Sequence, residues 1–99
     1  MTIIAPVINN NGTSATALLD EHRQALTAIQ QAIEAVKAIT VHGRDYQAAP
    51  IGTYEAARNA HITRLEALES IAADTQAITI AIMRQRDADR DAVDYSGIM

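Results

Sequence analysis

The stretch "VHGRDYQAAP", residues 41–50, decides how this chain folds, because it stands between two long runs of helical periodicity. Thr40 and Val41 are β-branched and weaken a helix that reaches them. Gly43 can take the left-handed conformation that ends helices, and Pro50 forbids an immediate restart. The stretch therefore reads as a corner, and the fold follows from what lies on either side of it.

Before the corner, "TSAT" offers Thr13, Ser14 or Thr16 as a helix cap, each able to accept a hydrogen bond from the free first-turn amides. From there Leu19, Leu26, Ile33 and Thr40 recur every seven residues, with His22, Ile29 and Val36 between them. Leu18, Ala25, Ala32 and Ile39 widen the stripe to the breadth of a bundle face. Glu21, Gln24, Gln31, Glu34 and Lys37 lie opposite. After the corner, Thr53 reads as the next cap with Glu55 in the favourable first turn. Ala57, His61, Leu65, Leu68, Ala72, Thr75, Ile78 and Ile82 then form a second apolar stripe. "ITIAI" at 78–82 also alternates with period two, a strand pattern, but its helical flanks favour helix.

The expected architecture is all-α: an antiparallel two-helix hairpin with an extended N-terminal arm and a short C-terminal tail. The arm covers 1–12, where Ile3, Ile4, Val7 and Ile8 surround Pro6 and "NNNG" supplies turn residues. The hairpin covers 13–95, with helices over about 14–41 and 53–93 and a loop at 42–52, and the tail covers 96–99. Laid antiparallel, Ile33 comes level with His61, Leu26 with Leu68 and His22 with Ala72. The second helix then overhangs the first by roughly a dozen residues, about 18 Å.

Composition argues that this hairpin is incomplete by itself. Of 99 residues, 48% are hydrophobic, yet there is no Phe, Trp or Cys, and twenty positions are Ala, which buries little area. Two helices cannot enclose a core, so each leaves one flank of its stripe open. The run "AITIAIM" at 77–83 is apolar nearly all round and also needs a cover; Ile80 and Met83 are its candidate contacts. With a net charge of −4 and no basic face, nucleic acid is not an expected partner. The lack of Cys excludes disulfide staples and thiolate metal sites. The start lacks the basic segment and long apolar run of a secretory signal, and no stretch approaches the roughly 20 apolar residues that span a bilayer.

Three His residues raise the question of a metal. His22 and His61 face the seam but at levels about 16 Å apart, too far to share an ion. Neither carries a carboxylate three or four positions away on its own helix, so the Glu-x-x-His spacing of di-iron bundles is absent. A polar partner for each is the expected arrangement. In the corner, His42 and Asp45 are spaced for a hydrogen bond, and Arg44 and Tyr46 add donors. Acid-base chemistry would need a walled pocket, which a hairpin tip lacks, and no nucleophile with a base is in view. The chain is read as non-enzymatic, without cofactor, metal or small-molecule substrate. His42, Arg44, Asp45 and Tyr46 are read instead as a docking patch, the alternative being that they cap the corner internally. In "RQRDADRDAVD", Arg86 with Asp89, Asp87 with Arg90, and Arg90 with Asp94 are spaced for ion pairs along a solvated helix end.

The segments "NNNGTS" (9–14), "HGRDYQ" (42–47) and "YEAARNAHITRLEAL" (54–68) give the chain a resemblance to a group of small tailed-phage and prophage helical-hairpin proteins. It spans about residues 8–75 and leaves out the C-terminal half of the second helix. The resemblance implies a phage context and assigns no role to any single residue. Together with the incomplete hairpin, it gives the expectation of a virion structural component. Such a protein would dock in multiple copies on head or head-to-tail proteins, including portal, adaptor or tail, without contact to nucleic acid or membrane. The expected contacts are Ile3, Ile4, Val7 and Ile8 of the arm, a segment suited to joining a neighbour as an edge strand, the four corner residues, and Ile80 with Met83. The competing expectation is a soluble dimeric helical-bundle adaptor or regulatory protein of the host cytoplasm.

Overall fold

Two α-helices make up most of the molecule in a computed structural model that describes residues 3–98, with side chains described as far as Asp89. Helix α1 spans Ala15–Lys37 and helix α2 spans Thr53–Ile98, joined through a single 3₁₀ turn at Gly43–Tyr46. They pack against each other as an all-α hairpin, and no strand occurs among the described residues.

Ser14 caps α1: its hydroxyl accepts from the Ala17 amide at 3.1 Å. The seven-residue stripe turns inward, with Leu19 and Ile33 buried and Leu26 half-buried between them. The helix stops at Lys37, earlier than the expected 41, and Thr40 falls outside it. Its end tightens when the Ile39 amide donates to the Val36 carbonyl at 3.0 Å, three residues back. The β-branched run Ile39-Thr40-Val41 disfavours another turn.

Gly43 is not the left-handed residue of the corner. That conformation belongs to Gly52, with φ of +92°. The Thr53 amide donates to the Pro50 carbonyl at 3.2 Å, closing a turn that reverses the chain over Ile51 and Gly52. The Gly52 carbonyl then accepts from Ala56 at 3.0 Å, so Gly52 fills the cap position and Thr53, the expected cap, is the first helical residue.

Helix α2 has no Pro to stop it and runs to Ile98, past the expected 93 and through the expected tail at 96–98; Met99 lies outside the described residues. "ITIAI" is helical, and its Thr79 is buried because the hydroxyl donates to the Thr75 carbonyl at 2.8 Å. At 46 residues against 23, α2 is about 69 Å long and α1 about 35 Å. The resulting rod is 76 Å long and 22 Å wide, with a radius of gyration of 21.0 Å, where a compact chain of this size would have about 13 Å. No described helix is long and apolar enough to cross a membrane.

The arm folds back onto this overhang. Gln85 of α2 holds it from both sides of its amide: the Ile8 N–H donates to Oε1 at 2.9 Å and Nε2 donates to the Pro6 carbonyl at 2.7 Å. Before α1 begins, the chain turns at Asn9–Gly12, where Asn9 Oδ1 accepts from the Asn11 amide and the Asn9 carbonyl from Gly12. At this end lies the only part of the described molecule with two side chains almost wholly removed from water, Leu19 at 2% and Ile82 at 0% exposure.

Candidate functional site

The corner end of the hairpin is open where the arm end is closed. An apolar groove of about 640 Å³ runs along the flank between the helices. Its walls are Val36, Ile39, Val41 and Tyr46 on one side, and Ala57, Ala60, His61, Arg64, Ala67, Leu68 and Ile71 on the other. Ile39 at 57% and Ile71 at 45% exposure form its outer lips. The groove lies beside the seam, where α1 covers only one flank of α2 between 57 and 71 and leaves Arg64, Ala67 and Ile71 exposed on the other. Small Ala57, Ala60 and Ala67 side chains deepen it.

Tyr46 is the corner residue that faces inward. Its ring lies against Tyr54 in the first turn of α2, centroids 6.1 Å apart and planes inclined by 49°. The remaining corner residues, His42, Arg44 and Asp45, are exposed, and none makes a side-chain hydrogen bond or ion pair among the described residues. The spacing that suggested a His42–Asp45 side-chain bond is used by the backbone instead, the Asp45 amide donating to the His42 carbonyl at 3.1 Å. These three polar groups therefore do not cap the corner; they are displayed at the hairpin tip.

The other expected contact residues divide. In the arm, Ile3 and Ile8 are half-buried, whereas Ile4 (88% exposed) and Val7 (79%) point outward. In "AITIAIM", Ile82 and Thr79 are buried and Met83 half-buried, leaving Ile80 partly exposed. His22 is satisfied within its own helix: the Leu18 carbonyl can only accept, so His22 Nδ1 donates to it at 2.7 Å. His61 lines the groove half-buried. Among the described residues no three His, Asp or Glu side chains gather in a metal-holding arrangement. Arg86 pairs with its neighbour Asp87 through Nε at 3.2 Å and Nη2 at 3.1 Å, in place of the expected Asp89. The pairs proposed for Arg90 and Asp94 lie outside the described side chains.

Sequence reasoning missed Gln85, Tyr54 and the groove-lining Ala57, Ala60, Arg64 and Ala67. Gln85 gave no signal, since a glutamine on an overhanging helix reads as a solvated position. The groove did: the flank left open by a two-helix stripe was its signature, but not which end would stay open. Comparison with protein-family models, curated proteins and solved structures finds no match to this chain.

Proposed function

We propose that this chain is a small structural component of a tailed-bacteriophage virion that docks, in multiple copies, on head or head-to-tail proteins and on copies of itself. The observation that carries the interaction role is the uncovered apolar groove on a hairpin with only three buried apolar side chains, Leu19, Ile33 and Ile82, among the described residues. Each such side chain stabilises by roughly 1.5–3 kcal/mol, a thin core for a rod of this length. Neighbouring chains would cover Ile39, Ile71, Ile4 and Val7, and binding energy would supplement folding energy. The unpaired His42, Arg44 and Asp45 at the tip would set orientation. The phage context rests on the resemblance of "NNNGTS", "HGRDYQ" and "YEAARNAHITRLEAL".

A soluble dimeric adaptor in the host cytoplasm is the second reading. It is favoured by the grip of Gln85 on the arm, which keeps Ile8 and Pro6 within the chain. Gradient-purified particles from cells producing the phage distinguish the two. The chain should sediment with particles and survive a salt wash in stoichiometric amount by mass spectrometry; recovery only in the soluble fraction would replace the virion reading with the adaptor.

A further inference from the structure

One flank of α2 lies beside the hairpin seam, with Arg64, Ala67 and Ile71 exposed and Ala60, Asp74 and Ile78 half-buried. Ala60, Arg64, Ala67, Ile71, Asp74 and Ile78 follow one another at alternating steps of four and three residues, the spacing of a coiled-coil face. The first four line the open groove. The order of residues along this stripe is complementary to its own reverse. Run antiparallel against a second copy, Arg64 comes opposite Asp74, Ala67 opposite Ile71, and Ala60 opposite Ile78. Each bulky side chain then meets an alanine, and each cation meets an anion, twice over by symmetry. Within one chain neither Arg64 nor Asp74 has an ion-pair partner among the described residues.

We infer that the groove flank of α2 is a two-fold self-association face, and that its occupant is the same flank of a second copy running antiparallel. The paired segment is about 27 Å long at 1.5 Å per residue. Gln85, which holds the arm, lies beyond it and comes level with the first turn of the partner's α2. Ile4 and Val7, exposed on that arm, are thereby brought to the partner's corner, where Ile39 stands exposed. Two hairpins joined this way enclose between four helices the side chains that each leaves open. The inference deepens the association reading and is independent of the phage context.

Sedimentation of the whole chain at micromolar concentrations tests it. The wild type should run at twice its 10.7 kDa mass. Arg64→Glu alone and Asp74→Arg alone each place like charges together and should weaken self-association by about tenfold or more, while the double variant restores it. Because the chain has no cysteine, Arg64→Cys with Asp74→Cys should also form a disulfide-linked dimer on oxidation, with neither single variant doing so. A wild type that stays monomeric at 100-fold higher concentration, single reversals without effect, or a double variant that does not recover would each overturn the pairing. Failure of this pairing would leave particle association standing, and absence from particles would leave the pairing standing.

Discussion

Gln85 shows how one side chain can organise a terminus. The arm between Ile3 and Ile8 has no helix or sheet to satisfy its backbone, and the Gln85 amide supplies one acceptor and one donor at the spacing of alternate residues. Each bond contributes about 0.5–1.5 kcal/mol, and together they hold the arm at the level of fully buried Ile82. Gln85→Ala should release it: amide exchange at Ile8 should accelerate, while the amides of α1 around Leu26 stay protected. Gln85→Glu should be intermediate, since a carboxylate still accepts from Ile8 but offers nothing to the Pro6 carbonyl. Unchanged exchange at Ile8 in the alanine variant would mean that apolar packing, not the amide, holds the arm.

At the scale of the elements, α1 depends on its seam and α2 on its length. Leu19, at 2% exposure, is the α1 side chain most removed from water, and its removal leaves a cavity in a core with few other buried side chains to close it. Leu19→Ala should cost about 2–5 kcal/mol in urea unfolding, whereas Ile80→Ala, on the outward side of α2, should stay within about 0.5 kcal/mol. Equal costs would place the core elsewhere. The seam was legible in sequence because Leu19, Leu26 and Ile33 repeat at the helical period, and the cap was legible as one of Thr13, Ser14 or Thr16, of which the structure uses Ser14. The corner's existence was legible in Pro50; its geometry was not, since the left-handed residue was expected at Gly43 and lies at Gly52. The distinguishing signal was local: Gly52 follows Pro-Ile and precedes Thr53, the arrangement of a turn that needs positive φ at its third position. The helix ends were less legible: the β-branched run Ile39-Thr40-Val41 weakens a helix without marking the residue at which it stops, and after Val93 no Pro ends α2, which continues through Gly97 to Ile98. Of the proposed interaction surface, the exposed tip residues and outward Ile4 and Val7 were legible as types. The place of the groove was not, because the open flank itself does not say which end of the hairpin the arm covers, a matter decided by Gln85.

For the molecule as a whole, shape sets the behaviour. A rod 76 Å long and 22 Å wide keeps most of its side chains within reach of water, so its folding free energy draws little from its own interior. If the uncovered flank is filled by further copies, association and folding are linked, and the apparent stability rises with concentration by mass action. The midpoint of thermal unfolding, followed by helical circular dichroism, should therefore increase as the chain is concentrated from micromolar to hundreds of micromolar. Arg64→Glu should flatten that dependence without altering the low-concentration midpoint, because Arg64 is exposed in the single hairpin and carries no ion pair there among the described residues. A midpoint independent of concentration in the wild type would mean that the hairpin, thin as its core is, is stable alone. The groove would then be a recess the fold tolerates and not one that a second copy fills.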